Sequence, residues 1–479
     1  MDEKNGCEKS SLKCWLKTLV AGSGCILAFT FSGICEAQSA VMLPQLRKND
    51  SPIPIDEEQG TWIASLGILP TPFSSVVFGP IADTLGRKIT MQFLYLAMTV
   101  GFATIAYARN ITHIYIGRII CALALGLEPG CIVYLAEITT APQRSAFFSL
   151  ISPIFTCGVI FTYIVGGYWP WKLASVVFSL MSLACFIFVF FLPESPAWLY
   201  KQDKKANAER SFKWLGRSQE EITKELELLK RSSQEETEEK VELKTFLEPQ
   251  VWKPFVILSI FHILESASGI YDVLFYTVDF IDSLGTTYDP LTISIILAGL
   301  RFITTCTLGI YFTAVVSRKL ATVLSGFFTG AAALGVGVYE YIYKDTSVVE
   351  RPCQWVPVLL LIFQVVASTV GFLCLPWIMK AEVFPLRVRA TMNSAVFVVG
   401  TAFIFVFIKI YVVWKNFLGL YGFYFSLAVP ALLCVPFGIF ILPETQNKTL
   451  YEIEQGFLPK KKRTKVETTQ ERPPVETDV

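Results

Sequence analysis

Charge is what this sequence has little of. Only 17% of its 479 residues are Asp, Glu, Lys or Arg, where soluble proteins carry about 25%. That shortfall excludes an ordinary soluble domain. A net charge of +1 excludes the basic face that a nucleic-acid binder needs. Two histidines give no metal-ligand spacing, and there is no phosphate-cradling loop or nucleophile–base set. Metal or cofactor use, ATP-driven pumping and enzymatic chemistry are therefore not expected. A cleavable leader is not expected either, because Met1 to Ser11 is polar and the apolar run behind it is too long for one.

What is present is apolar mass. Hydrophobic residues make up 53% of the chain and aromatics 14%. Most of the 12 cysteines lie within apolar runs, as Cys25, Cys35, Cys121, Cys185 and Cys434 do, and behave there as small hydrophobes. A membrane span takes about 20 apolar residues. By that rule spans fall near 18–43, 59–80, 89–108, 112–136, 146–168 and 171–192, then 254–280, 290–316, 320–343, 353–379, 390–414 and 419–442. Each must be helical, since lipid offers an open backbone no partner. The expectation is an all-α membrane protein of 12 transmembrane helices in two six-helix bundles. Its parts are an N-terminus at 1–17, bundles at 18–192 and 254–442, a linker at 193–253 and a tail at 443–479.

Basic residues orient it. Arg87, Lys88, Arg144, Arg318, Lys319, Arg387 and Arg389 all fall in even-numbered loops, which places those loops, the linker and both termini in the cytoplasm. Arg47 and Lys48 oppose the pattern mildly. In the linker, Ser218-Gln219-Glu220-Glu221 fits a capping box ahead of Ile222, Leu226 and Leu229, which predicts amphipathic helices under the membrane. The tail has no apolar pattern and is expected to be disordered.

The chain repeats itself. Leu192-Pro193-Glu194-Ser195 returns 250 residues later as Leu442-Pro443-Glu444-Thr445, and Ala136-Glu137 returns 245 residues later as Ala381-Glu382. Matches at nearly one offset, at equivalent points of each half, indicate duplicated bundles about an axis along the membrane normal, with a solute site between them at midplane. Gly79 to Lys88 joins spans two and three, and its Asp83 can meet a helix N-terminus or an arginine of a neighbouring loop. Such links can hold one face closed.

These residues resemble the sugar-porter members of the major facilitator superfamily, and among them the insect-type facilitated trehalose transporters and the facilitative glucose carriers. The resemblance runs from about residue 18 to 457. It is carried by the Gly79–Lys88 loop, Gly117-Arg118, Glu137 to Arg144, Pro193-Glu194-Ser195-Pro196, Pro376-Trp377, Glu382-Val383-Phe384-Pro385 through Arg389, and Pro443-Glu444-Thr445 with Leu450. It implies the major facilitator fold and alternating access. It also implies a cytoplasmic gating network of Asp83, Arg87, Lys88, Arg118, Glu137, Arg144, Glu194, Glu382, Arg389 and Glu444, engaged when the carrier opens outward.

The departures from that family concern the solute. In span seven its two glutamines and asparagine become Glu265, Ser266 and Tyr271, while Ser268-Gly269-Ile270 and the pair Phe275-Tyr276 remain. Arg301 stands at an asparagine position of span eight, Gly400 and Thr401 replace asparagine and tryptophan in span eleven, and Ser152 lies near the usual glutamine of span five. The loop at Arg318-Lys319 lacks the aspartate and glycine of its first-half copy and reads as degraded. Amides suit sugars because they donate and accept at once. Their loss leaves Trp377, Tyr276, Ser266 and Thr401 as a stacking and hydroxyl-binding surface. Glu265 and Arg301 each lie 11 residues into their spans, about 16 Å deep, where an unpaired charge is costly. They are expected to pair, as a structural ion pair or with Glu265 in a binding or proton-coupling role. Glu128 faces either a bundle interior or a polar loop.

Three functions stay open: a facilitative carrier for trehalose or a hexose in the plasma membrane, a proton-coupled or other polar-solute carrier, and a transporter-like receptor that moves nothing. Weaker signals are the sequon Asn110-Ile111-Thr112 in a loop too short for occupancy, a basic run at Lys460–Lys465 that can touch anionic lipid, and a C-terminal Glu476-Thr477-Asp478-Val479 that suits a PDZ groove.

Overall fold

The computed structural model describes residues 2–238, 243–446, 448 and 450–457, and every regular element among them is helical. The first half runs α1 (Asp2–Leu46), α2 (Glu57–Ser65), α3 (Thr71–Leu85), α4 (Arg87–Ala106), α5 (Ile111–Leu125), α6 (Glu128–Ile138), α7 (Ala141–Tyr168) and α8 (Trp171–Val189). The linker holds α9 (Pro196–Lys201), α10 (Lys205–Trp214) and α11 (Gln219–Glu238). The second half runs α12 (Pro249–Ala267), α13 (Ile270–Phe275), α14 (Thr277–Ser283), α15 (Pro290–Thr304), α16 (Ile310–Val315), α17 (Arg318–Ile342), α18 (Trp355–Val370), α19 (Leu375–Val383), α20 (Arg389–Pro436) and α21 (Leu450–Phe457).

Nine stretches among the described residues are long and apolar enough to cross a membrane. The longest, Thr391–Ile441, contains Gly419 at φ 68°, a kink that turns the chain back on itself. The two expected spans missing from the nine are the broken ones, α2–α3 and α12–α14, so the helix order accommodates twelve crossings. Local chemistry explains the breaks. Pro70 and Pro72 interrupt the second span at the start of α3. Gly269 sits at φ 79° between α12 and α13, a conformation open to glycine and costly for other residues.

Packing repeats as the sequence does. In the first half α1 lies along α7, and α4 along α5 and α8; in the second, α12 lies along α20, and α17 along α18 and α20. Large side chains such as Phe191, Phe417 and Phe440 face outward, as a lipid-facing surface requires. The apolar interior forms three main bodies. One belongs to the first half, with Phe31, Tyr95, Phe102 and Phe178. One belongs to the second, with Phe261, Phe372, Met379 and Phe437. The third, at the end far from the linker, draws on both halves, joining Leu43, Ile63 and Tyr163 to Tyr276, Phe280 and Tyr411.

Short helices cover the linker end. Ser218 and Glu221 form the reciprocal cap that the sequence suggested, at 2.8 and 3.2 Å. Ile222 is buried, and Leu226 packs on Trp198, Leu199 and Ala208. Trp198 Nε1 donates to Asp83 O at 2.7 Å and Arg217 to Ile138 O at 3.2 Å, which ties the linker to the first half. Under the second half, α21 buries Ile453 and Phe457. The basic run at Lys460–Lys465 and the C-terminal Glu476–Val479 lie outside the described residues.

Candidate functional site

The chemistry concentrates where helices break. Glu265 ends α12 one turn after His262, and both are fully buried. His262 Nδ1 lies 2.9 Å from the Glu265 carboxylate. Tyr271, just past the Gly269 break, donates its hydroxyl to the same carboxylate at 3.0 Å. Trp377 in α19 donates Nε1 to Tyr271 Oη at 3.1 Å and to Glu265 at 3.4 Å. The Trp377 indole meets the His262 ring edge-on at 4.7 Å, and Lys380 Nζ lies 4.6 Å from its centroid. Gly400 makes this possible: a Cβ there would come within 3.0 Å of the His262 ring. Four side chains from three helices thus meet in one network, which leaves His262 Nε2 without a partner.

The expected Glu265–Arg301 pair does not form. Its donors come from α12, α13 and α19, and α12 packs on α19 and α20 whereas α15 packs on α7, α14 and α18. Arg301 is buried instead over Phe155 of α7, 5.7 Å from the ring centroid. It lines a small cavity between α7 and the second half, together with Tyr163, Thr277, Gln364 and Ser368, that encloses about 20 Å³. That is room for one water-sized group.

The other sequence candidates scatter. Ser266 is buried with no partner for its hydroxyl. Ser152 Oγ lies 4.0 Å from Cys374 Sγ. Thr401 bonds back to Phe397 O at 2.7 Å within its own helix. Tyr276 sits in the far-end core, stacked on Tyr411 at 4.6 Å and donating to Ile408 O at 3.1 Å. Glu128 opens α6, with one carboxylate oxygen buried and unpartnered.

At the linker end the charged motifs form two clusters, one in each half. In the first, Arg87 meets Glu137 at 3.2 Å, and Ser195 Oγ donates to the same carboxylate at 2.5 Å. Glu194 accepts the backbone amides of Arg87 at 3.1 Å and Lys88 at 3.0 Å. In the second, Arg318 meets Glu382 at 2.8 Å, Thr445 donates to Glu382 at 2.5 Å, and Glu444 accepts the amides of Arg318 at 3.0 Å and Lys319 at 3.2 Å. The second cluster repeats these contacts although its loop lacks the aspartate and glycine, and the Asp83–Arg87 pair has no counterpart there. A carboxylate at a helix N-terminus needs backbone amides and the helix dipole, not a particular loop side chain. Burial raises Glu194 against the pull of its amides and Arg87. Burial also raises Glu444, but the amides of Gln446, Arg318 and Lys319 outweigh it and leave its carboxyl below the usual range.

Three expected members stand apart from these pairs. Arg144 donates to Ala136 O at 2.8 Å and Arg389 to Phe384 O at 3.1 Å, each closing its own turn. Arg118 is fully buried and donates to Ile63 O at 3.0 Å and Cys35 O at 2.5 Å. It precedes Glu137 by 19 residues in the same span, about 28 Å of helix, so it belongs to the far half. Asp83 meets Arg87 at 3.0 Å but is 74% exposed, which makes it a weak contributor. His262, Ser195, Thr445 and the Arg318–Lys319 doublet were missed. The spacing of His262 and Glu265, three apart on one helix face, and the doublet's match to Arg87-Lys88 were the available signals. Arg318→Gln is expected to lower stability about as much as Arg87→Gln, by roughly 2 kcal/mol, read as melting shifts of the purified chain. A shift confined to Arg87→Gln would mark the second cluster as inert.

Direct contacts between the halves gather at the far end. Arg47 pairs with Asp279 at 2.5 Å, Lys409 donates to Thr61 at 2.8 Å and lies 3.9 Å over Trp62, and Tyr163 meets Thr277 at 2.6 Å. Two repeated bundles, joined at one end around a small cavity, make this a membrane carrier of the major facilitator fold. The chain belongs to the family described as "Sugar (and other) transporter", whose model matches residues 27–457. It is 25% identical over 452 residues to facilitated trehalose transporter Tret1 of Apis mellifera ligustica, covering 93% of this chain and 89% of that one. It is 26% identical over 405 residues to the Bombyx mori protein of the same name, covering 84% and 79%. Among solved structures, the proton:xylose symporter XylE bound to 6-bromo-6-deoxy-D-glucose matches with TM-score 0.73 at 18% identity, over 94% of this chain and 100% of that one. The inward-open conformation of XylE from E. coli matches with TM-score 0.74 at 18% identity, over 92% and 99%. These relatives are transporters, not enzymes.

Proposed function

We propose that the chain carries a sugar across the plasma membrane by alternating access, down its gradient, with the linker and both termini cytoplasmic. The observation that carries this reading is the division of the core: one apolar body shared by both halves at the far end, and separate bodies toward the linker. Such a molecule opens toward the linker side when the halves rock about the far-end contact. The basic doublets Arg87-Lys88 and Arg318-Lys319, with Arg144, Arg387 and Arg389, lie on the linker side and support the orientation. The paired Arg87–Glu137 and Arg318–Glu382 clusters act as gating elements in this reading, with Glu194 and Glu444 holding the adjoining helix starts. Trp377, Tyr271, Glu265 and Arg301 form the solute-facing set, and the C-terminal Glu476–Val479 is the segment offered to a PDZ domain.

The test is uptake of labelled trehalose and glucose into proteoliposomes holding the full chain, with and without a pH gradient. Saturable uptake that equilibrates and ignores the pH gradient is the expected result. Uptake driven by the gradient would replace the facilitative reading with a proton-coupled one. Binding with no flux of either sugar would replace it with a receptor.

A further inference from the structure

The cavity at Arg301 has a feature that a site for neutral sugars does not need. Arg301 is 8% exposed and lies 11 residues into α15, about 16 Å along the helix. Its guanidinium makes no hydrogen bond and no ion pair among the described residues, and its Nε is buried without a partner. An uncompensated arginine at that depth costs several kcal/mol. Opposite it, Gln364 of α18 is 1% exposed, and neither its amide nitrogen nor its amide oxygen has a partner. Both side chains line the same cavity, beside the hydroxyls of Tyr163, Thr277 and Ser368. Glu36 of α1 forms no ion pair with Arg301 among the described residues.

A buried cation and an unused amide on one cavity, whose wall is otherwise largely apolar, match a ligand with a negative end and hydroxyls. We propose that this cavity selects sugar acids: Arg301 takes the carboxylate in a paired, charge-assisted contact, and Gln364 gives and accepts hydrogen bonds with the hydroxyls. The inference rests on the sugar-carrier reading and narrows its substrate class. The present space admits only the tip of such a group, so the remainder enters as the halves part. The counter-charge that offsets the cost of burying Arg301 is then brought by the substrate itself, which gives neutral hexoses a disadvantage at the same position.

Proteoliposomes with the full chain are loaded in parallel with labelled glucuronate, glucose and trehalose at fixed pH. The expected result is uptake of glucuronate above that of glucose, and a fall of about tenfold in the glucuronate-to-glucose ratio in Arg301→Asn, with Arg301→Lys between. Uptake of glucose or trehalose without glucuronate overturns the inference and leaves the sugar-carrier reading standing. Flux of none of the three overturns both. An Arg301→Glu, Glu36→Arg exchange that restores wild-type uptake of every substrate also overturns it, since Glu36 would then be the arginine's partner. Should Arg301→Asn fail to fold, unlabelled glucuronate against wild type decides: thermal stabilisation by glucuronate exceeding that by glucose supports the inference, and stabilisation by glucose alone overturns it.

Discussion

Arg118→Ala will abolish accumulation of folded protein. Arg118 is the largest fully buried side chain of the molecule's described residues, at 0% exposure. Its guanidinium serves four oxygen acceptors, and among the described residues one of them, Ile63 O, has no backbone donor of its own. Ile63 and Ala64 lie in the last turn of α2, where a helix leaves its carbonyls without intrahelical donors. Arg118 donates to Ile63 O at 3.0 Å and to Ala64 O at 3.4 Å, then reaches α1 at Cys35 O and at Gln38 Oε1, 3.4 Å away. It therefore caps the break in the second span and fastens it to the first. In lipid, a carbonyl left open costs on the order of 1 to 3 kcal/mol, and Ile63 O would be left open, while Ala64 O keeps the Gly67 amide at 3.2 Å and Cys35 O keeps its place in the α1 ladder. The void that alanine leaves at this fully buried site adds about 3 kcal/mol, so the loss reaches the lower end of a typical domain's stability, about 5 kcal/mol. Gly67 belongs to the same device, because a Cβ there would fall 2.0 Å from Arg118 Nη2. Arg118→Met keeps the bulk and removes the charge, which by itself can be neutral or stabilising. It should fail nevertheless, because Ile63 O loses its donor and α2 loses its tie to α1. Lysine should fail too, since one ammonium cannot span α1 and α2. Size-exclusion profiles and melting of detergent-purified protein test this. A wild-type melting point for Arg118→Met would show that the arginine serves transport and not the fold.

The fold was largely legible because lipid imposes one simple demand, and apolar length answers it. Pro193-Glu194 and Pro443-Glu444 repeat in the structure as they do in the sequence, since those carboxylates bind helix starts in both copies. Legibility ended where azimuth decides. Glu265 and Arg301 share a depth, and depth can be counted from spacing. Their directions depend on how α12 and α15 are rotated against their neighbours, and those neighbours differ. Arg118 shows the same limit from the other side: motif membership suggested the cytoplasmic network, while its distance along the span placed it far away. The Arg318 loop lacks the aspartate and glycine of its first-half copy, yet its cluster forms, because backbone amides do the binding there. Gln364 was passed over because its position in span ten carried no motif, although it faces the cavity.

Glu265→Ala will cost both stability and transport. The carboxylate collects one contact from each side of the Gly269 break, His262 at 2.9 Å before it and Tyr271 at 3.0 Å after it, and a third from Trp377 at 3.4 Å across in α19. Without it, Trp377 and Tyr271 still have each other at 3.1 Å. His262 has nothing: its Nε2 is already buried and unpartnered, and Gly400 behind it supplies no side chain. One fully stranded imidazole and two weakened donors amount to roughly 3 kcal/mol. The transport loss has a separate cause. α13 and α19 both follow breaks in their spans, and Glu265 holds them in one register; with that tie gone, Trp377 no longer keeps a fixed pose toward a solute, and a misplacement of about 1 Å costs on the order of a hundredfold in rate where positioning matters. Glu265→Gln separates the two effects. The amide keeps the shape and one oxygen acceptor, but turns an N–H toward a group that also donates, so stability should fall by less than half as much as in alanine while uptake falls nearly as far. Equal uptake by Glu265→Gln and wild type, at matched protein amounts, would show that the carboxylate's role at the break is structural alone.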